Sequence, residues 1–281
     1  MSAIADIPPA DASANSEKPA RPNIAVRILG AVPPVLWTVL VLVFLWEIIC
    51  RIAEVPPFIL PAPSAIAEVF GNYWHRLLPN ALVTLSEVLI GFALAVAIGI
   101  PLAVLIAYSS IMERTVYPLI AASQTVPKVA IAPLLLTWFG YGMTPKIVIV
   151  VLLSFFPVVI NTVMGLKSVS REMIYLSRSM GASGWQSFWK FRLPHSLPSI
   201  FGGLKLATVM SVIGAIVGEF IGADSGLGYI IVVAGANFDI ARQFAAVILI
   251  SLIGIVFFAV LEQLERIMIP WRARSKVEAG G

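Results

Sequence analysis

Apolar residues fall in six long runs along the chain, separated by shorter segments that are polar, basic or rich in proline. A helix needs about 20 apolar residues to cross the hydrocarbon core of a bilayer. The pattern therefore predicts an all-α polytopic membrane protein with about six transmembrane helices. The predicted spans are residues 35–52, 82–107, 116–139, 147–166, 204–223 and 244–264.

The third span contains the sequence SQTVPKVAIAP, which places Pro127, Lys128 and Pro133 at membrane depth. Proline removes a backbone donor, and a broken helix survives at that depth only where protein or a water-filled cavity satisfies the freed backbone groups. We therefore expect a kinked or broken helix, with Pro127 and Lys128 lining a translocation pathway. Alternatively, the ammonium group of Lys128 extends to the cytoplasmic headgroups.

The composition agrees with a membrane protein, since 59% of the 281 residues are hydrophobic and only 12% are charged. One cysteine, Cys50, and two histidines leave too few ligands for a metal cluster, and the cysteine has no disulfide partner within the chain. The sequence also contains no phosphate-binding loop of the form G-x-x-x-x-G-K-[ST]. We expect a protein that is not an enzyme and that holds no cofactor or metal of its own.

Lysine and arginine are unevenly distributed among the predicted loops. With the N-terminus inside, fourteen of the 19 lie in cytoplasmic segments and Lys128 lies within a span. The other four lie in external segments: Arg51, Arg76, Lys146 and Arg242. Cytoplasmic loops of membrane proteins carry an excess of these residues, so both termini are predicted to be cytoplasmic. The net charge of +4 then reflects topology and lipid contact and not a nucleic-acid partner. We expect a disordered tail at 1–30, a transmembrane domain at 31–270 and a cytoplasmic tail at 271–281.

The segment between the first two spans predicts a short amphipathic helix on the outer face. It has a proline-rich start, Ser64 as the expected N-cap, and Trp74 near the membrane interface.

A polar segment at about 167–203 includes the stretch SRSMGASGWQSFWKFRLPHSLPSI. It predicts a helix over 172–180, Gly181 as C-cap, Ser183 as the N-cap of a second helix with aromatic residues, and a stop at Leu193-Pro194. One interpretation is an amphipathic helix lying on lipid headgroups. A helix on a lipid surface does not, however, require a glycine and a Leu-Pro pair at a fixed interval.

The stretch GASGWQSFWKFRLPHSLPSIFGGLKLA resembles the cytoplasmic signature loop of binding-protein-dependent ATP-binding-cassette (ABC) importer permeases. Gly181 and Leu193-Pro194 match that loop in kind and spacing, whereas 175–177 is Tyr-Leu-Ser where the family has Glu-Ala-Ala. The stretches PPFILPAPSAI, TVPKVAIAPLLLTWFGYG, FFPVVINTVMGL and GEFIGADSGLGYII resemble the nitrate, sulfonate and taurine branch of these permeases.

The resemblance implies the fold of a type I ABC importer permease, located in a bacterial inner membrane. It implies a homodimer that works with two ATPase subunits, which bind ATP and magnesium, and with a periplasmic solute-binding protein. The expected solute is nitrate, a sulfonate or taurine, or else a pyrimidine- or flavin-type vitamin precursor. The segment 167–203 would be the coupling loop that contacts the ATPase. The coupling residues would be Gly181, Ala182, Ser183, Trp185, Phe188, Leu193 and Pro194.

The fifth span places Gly214, Gly218 and Gly222 on one helix face and Glu219 beside it. Small residues at this spacing allow close helix contact, either within the chain or between two copies. An ionisable residue within a span indicates a functional site, so Gly214, Gly218 and Glu219 are candidate pathway residues. For Glu219 a structural hydrogen bond to a neighbouring helix is the alternative, and for Glu87 it is the preferred interpretation.

A stand-alone secondary transporter or channel is the rival function. In that case Glu87, Lys128 and Glu219 would bind coupling ions or select charge. This alternative leaves the segment from Gly181 to Pro194 without a role. A membrane-embedded enzyme is disfavoured by the scarcity of histidine, cysteine and paired carboxylates.

Overall fold

The computed structural model describes residues 34–271, and all the regular secondary structure in that range is helical. The predicted tail at 1–30 and residues 272–281 of the predicted C-terminal tail lie outside the described residues. The α-helices within residues 34–271 are α1 (Pro34–Ile52), α2 (Pro63–Tyr108), α3 (Ser110–Ser123), α4 (Ala132–Phe139), α5 (Met143–Lys167), α6 (Arg171–Ser179), α7 (Gly184–Ser187), α8 (Leu193–Gly222), α9 (Leu227–Ala236) and α10 (Ile240–Met268).

Every predicted span lies on one or more of these helices, which confirms the all-α class. Within the described range, four helical stretches are long and apolar enough to cross a membrane, or five if one bent pair counts as a single span. Helix α1 coincides with the first predicted span, and its residues up to Ile48 belong to a unit separate from the rest of the described chain.

Helix α2 runs without interruption for 46 residues, so the expected separate helix on the outer face is wrong. Its N-cap is Ala62 and not Ser64, because Pro63 occupies the first helical position. The Ser64 hydroxyl instead accepts a hydrogen bond from Arg51 at 3.4 Å. Proline at 79 does not end the helix, which is typical of membrane helices whose neighbours satisfy the freed backbone groups.

The third predicted span is broken, as the proline positions indicate. Helix α3 ends at Ser123, and a 3₁₀ turn at Lys128–Ile131 leads into α4. The two parts of this bent pair meet at an angle of 82°. Residues 124–127 therefore form the hinge of a discontinuous helix.

Gly214 and Gly218 of α8 pack against α5 of the same chain, whereas Gly222 faces Leu136 and Tyr141. A Cβ atom added to Gly214 would lie 2.8 Å from the Cα of Val150, and one added to Gly218 would lie 3.1 Å from the Cα of Lys146. Helix α2 also approaches α5 closely, since a Cβ added to Gly99 would lie 3.0 Å from the Val158 side chain. The small residues thus bring α2, α5 and α8 together within one chain, where lipid offers no hydrophobic driving force for association.

Candidate functional site: a capped polar segment and a buried polar cluster

The polar segment begins with α6, which is capped at both ends. The Ser170 hydroxyl accepts a hydrogen bond from the Met173 N–H at 3.3 Å. Hydrogen bonds from its own backbone N–H and from Ser170 hold the pKa of the Glu172 carboxyl below its usual value. A carboxylate in the first turn also interacts favourably with the helix dipole. The helix therefore has a well-defined start.

The end of α6 is a Schellman motif built on Gly181. The N–H of Gly181 donates to the carbonyl of Arg178 at 2.9 Å, and the N–H of Ala182 donates to that of Ser177 at 3.1 Å. Gly181 has φ +78°, which is the left-handed conformation that this motif requires. The C-cap is Met180, whereas the sequence predicted Gly181, one residue further along the chain. The expected turn at Gly181 is present.

Ser183 is the N-cap of α7, as predicted, and it forms a complete capping box with Gln186. The Gln186 N–H donates to the Ser183 hydroxyl at 3.2 Å, and the Ser183 N–H donates to the Gln186 side chain at 2.9 Å. Because both bonds are made, the direction of the second helix is fixed within one turn of Gly181.

The predicted stop at Leu193-Pro194 is wrong. Residues Phe188–Arg192 form a π-helical turn, which the Leu193 N–H closes by bonding to the Phe188 carbonyl. A continuous helical stretch therefore runs from Gly184 to Gly222. Pro194 lies in the first turn of α8, and the wider π turn before it accommodates the residue that cannot donate a backbone hydrogen bond.

Three aromatic rings form a cluster on this stretch. Trp185 lies 6.1 Å from Phe188 and 5.5 Å from Trp189, measured between ring centroids. Trp185 is 70% exposed and Trp189 is 50% exposed, whereas Phe188 is half-buried. The cluster thus presents two large apolar side chains to the surroundings and keeps the third for packing within the chain.

Contacts that the sequence did not reveal connect the segment to the rest of the protein. Phe188 packs edge to face on Tyr108 at the end of α2, at 5.8 Å, and the Arg192 guanidinium lies 4.8 Å from the same tyrosine ring. The buried hydroxyls of Ser177 and Ser187 lie 3.2 Å apart and join α6 to α7. Since these partners are far apart in sequence or lie on different helices, only the folded chain brings them together.

A second polar region lies where α8 meets α2, and it is centred on Glu219. The Glu219 side chain is 1% exposed; its Oε1 lies 2.6 Å from the Thr84 hydroxyl, and its Oε2 accepts the Gly228 N–H. The Thr84 hydroxyl also accepts the Leu227 N–H at 2.9 Å. Glu219 therefore ties the start of α9 to α2, which is the structural role that the sequence left open.

Glu87 and Lys146 form a buried ion pair in the same region. The Nζ of Lys146 lies 2.6 Å from Oε1 of Glu87, and the two side chains are 4% and 0% exposed. The charge count placed Lys146 in an external loop, which is wrong, since the residue lies in the first turn of α5 and points inward. In the sequence, the only sign that Lys146 is buried is its position next to a long apolar run.

Lys128 and Pro127 lie at the break between α3 and α4. The ammonium of Lys128 lies 4.3 Å from the centre of the Phe156 ring and 3.5 Å from the carbonyl of Gln124. Pro127 is exposed. Their contacts are different from those of Glu219, so the five candidate pathway residues do not form one cluster: Lys128 and Pro127 lie at the break, and Gly214, Gly218 and Glu219 lie along α8.

Residues 95–270 match the model of the family described as binding-protein-dependent transport system inner membrane component. The chain is 40% identical to the formylaminopyrimidine transport permease protein ThiX of Halalkalibacterium halodurans, over 89% of this chain and 99% of the relative. It is 36% identical to the riboflavin transport system permease protein RibX of Chloroflexus aurantiacus, over 84% and 89%. It is 29% identical to the taurine transport system permease protein TauC of Escherichia coli, over 83% and 88%.

The fold is similar to that of a chain from the inward facing MetNI methionine ABC transporter, with a TM-score of 0.57 at 20% identity, over 70% of this chain and 98% of that chain. The family model and the sequence relatives thus point to one kind of protein. The chain belongs to the family of binding-protein-dependent transport system inner membrane components, and it is the membrane-spanning permease subunit of an ABC importer.

Proposed function

We propose that this permease works as a homodimer with two copies of an ATPase subunit and with an extracytoplasmic solute-binding protein. The ATPase would bind ATP and magnesium, since the chain has no phosphate-binding loop of its own. We also propose a bacterial inner-membrane location with both termini in the cytoplasm, which the distribution of lysine and arginine supports. Family membership favours this arrangement over a stand-alone secondary transporter.

The segment from Gly181 to Pro194 is the proposed contact with the ATPase. The observation that carries this assignment is a short helix fixed at one end by a Schellman turn and a capping box, which exposes two tryptophans. Tryptophan is enriched among the residues that dominate binding energy at protein interfaces. The helical stretch that begins at Gly184 continues into α8, so a force that the ATPase applies to the aromatic cluster would act directly on a transmembrane helix.

The discontinuous helix is the proposed lining of the translocation pathway, with Pro127 in its hinge and Lys128 directly after it. Irregular backbone is tolerated at membrane depth where it lines a cavity, and the exposed hinge residues support this assignment. We propose a different contribution for Gly214, Gly218 and Glu219. They keep α8 close to α5 and α9, so the pathway can change shape as helices move together.

The proposed solute is a small heterocyclic vitamin precursor of the pyrimidine or flavin type. The sequence resemblance alone favoured nitrate, a sulfonate or taurine. However, the formylaminopyrimidine and riboflavin permeases share 40% and 36% identity with this chain, whereas the Bacillus subtilis sulfonate and Escherichia coli taurine permeases share 28% and 29%.

Two experiments test this function separately. Purification of the tagged permease in mild detergent should recover an ATPase subunit in equal amount, and recovery of the permease alone would contradict the importer assembly. For the solute, the soluble receptor should be titrated with pyrimidines, flavins, taurine, an alkanesulfonate and nitrate. Binding of an anion in this series, without binding of any heterocycle, would contradict the substrate class and leave the assembly intact.

A further inference from the structure

A small cavity lies between the N-terminal part of α2, the helix α9 and the start of α10. It has a volume of about 130 Å³, and its lining includes Tyr73, Arg76, Tyr229 and Arg242. Tyr108, which contacts the aromatic cluster, lies 35 residues after Tyr73 on the same helix. At 1.5 Å per residue this separation is about 50 Å, so the cavity and the aromatic cluster lie at opposite ends of α2.

Two guanidinium groups line this cavity, and neither is fully satisfied. That of Arg242 lies 2.8 Å from the Asp239 carboxylate and 4.1 Å from the centre of the Tyr73 ring. Its Nε is nevertheless buried and has no hydrogen-bond acceptor among the described residues. Within residues 34–271, no carboxylate forms an ion pair with Arg76. Two positive charges and one negative charge therefore leave one positive charge in excess at the cavity.

An anion in the cavity would satisfy both groups. A guanidinium group presents N–H donors in a fixed fork, which binds two oxygens of a phosphate or a carboxylate with parallel hydrogen bonds. An anion that contacts Arg76 and Arg242 also offsets the repulsion between their like charges. The unpartnered Nε of Arg242 and the excess charge thus both indicate a ligand with acidic oxygen atoms.

The surface of α2 around the cavity indicates which anion is available there. Tyr73 and Trp74 are exposed, and these aromatic side chains are enriched at the level of the lipid headgroups in membrane proteins. Leu78 and Leu82, one and two turns further along α2, are exposed apolar residues, as expected of a helix surface that faces hydrocarbon. The cavity therefore lies at the level of the phosphate groups of the lipids.

We propose that this cavity binds the phosphate of one anionic phospholipid, such as phosphatidylglycerol. The phosphate oxygens accept hydrogen bonds from the Nε of Arg242 and from the guanidinium of Arg76. A headgroup with a net negative charge fits better than a zwitterionic one, because the cavity has one positive charge in excess. Basic pockets between transmembrane helices recognise lipid headgroups in this way. The bound lipid joins α2, α9 and α10 at the end of α2 that is remote from the proposed ATPase contact.

Native mass spectrometry of the delipidated, full-length permease in detergent tests this site. The wild-type protein should bind one phosphatidylglycerol more tightly than phosphatidylcholine, which has the same phosphate diester but no net charge. Arg76→Gln should weaken the binding of phosphatidylglycerol by about tenfold, because it removes a charged hydrogen-bond donor. Arg76 is exposed, so this variant is expected to fold.

Arg51→Gln is the matched control, since it removes the same charge from an exposed arginine that does not line the cavity. It should bind phosphatidylglycerol as the wild-type protein does. Equal binding of the two lipids by the wild-type protein overturns the proposal. Undiminished binding in Arg76→Gln, or an equal loss in both variants, also overturns it.

Two further measurements on the wild-type protein separate a lipid from free phosphate. Millimolar inorganic phosphate should not displace phosphatidylglycerol, and displacement would overturn the lipid in favour of the free anion. Phosphatidylglycerol with a photoreactive headgroup should form crosslinks within residues 73–80 or 229–242, which contain the lining of the cavity. Crosslinks confined to other parts of the chain would overturn the location of the site.

Discussion

Gly181→Val is expected to weaken coupling to the ATPase by straining one turn. Gly181 has φ +78°, and both hydrogen bonds of the Schellman motif depend on that conformation. No atom lies within 4 Å of a Cβ added there, so the substitution causes no steric clash with the surrounding side chains. The free-energy cost of the substitution therefore comes from the backbone conformation at Gly181.

The size of this effect follows from the left-handed conformation. A Cβ atom in that region costs roughly 1–2 kcal/mol, and branching at Cβ makes the conformation still less favourable. Since about 1.4 kcal/mol corresponds to a tenfold change in an equilibrium constant, the population with an intact turn should fall by about tenfold or more relative to the open turn. Gly181→Asn should cost less, because asparagine tolerates this conformation.

Gly184→Ala is the matched control. Gly184 lies three residues away, also has no neighbour within 4 Å, and does not have a positive φ. Alanine there should be neutral or slightly stabilising. The assay is ATPase activity stimulated by loaded receptor in reconstituted vesicles, normalised to permease content. Equal stimulation with Gly181→Val and Gly184→Ala would refute the reasoning, because the turn would then not transmit motion.

Three further outcomes are expected. Gly218→Leu should destabilise the permease by about 1–3 kcal/mol in a thermal unfolding assay, because the new Cβ would lie 3.1 Å from the backbone of α5. Gly202→Leu, on the open side of α8, should leave the stability unchanged, and equal melting temperatures for the two variants would contradict the packing. Tyr108→Leu should reduce stimulated ATPase activity while leaving ATPase binding intact, because it removes the contacts of α2 with the aromatic cluster; unchanged stimulation would show that α2 takes no part. In a background without Cys50, a cysteine replacing Lys190 should react with a membrane-impermeant reagent only from the cytoplasmic side, and labelling from outside would overturn the topology.

The hydrophobic pattern was sufficient to predict the helical class, and the prolines were sufficient to predict the break at Pro127. Proline and glycine act locally, so their effect on the backbone is visible in the sequence, as at the turn around Gly181. The N-cap at Ser183 was predictable for the same reason. Each of these features depends on residues that are at most a few positions apart.

Features that depend on tertiary contacts were not predictable. Pro194 indicates a stop when it is read locally, but a π turn before it lets the helix continue. Lys146 indicates an external loop by charge alone, yet its partner Glu87 lies 59 positions away on another helix. Gly214 and Gly218 of α8 could have met lipid, a second copy or the same chain, and only the fold shows that they face α5.

The exposed tryptophans of the segment from Gly181 to Pro194 are proposed to dock onto the ATPase. The most direct test is pull-down of the ATPase by a permease that carries Trp185→Ala and Trp189→Ala, compared with one in which the exposed Trp138 is replaced by alanine. The account predicts at least a tenfold loss of affinity in the double variant, since interface anchors of this kind typically contribute about 2 kcal/mol or more, and full binding in the Trp138 control. Undiminished binding and stimulation in the double variant would contradict the account and favour an amphipathic helix that lies on lipid headgroups.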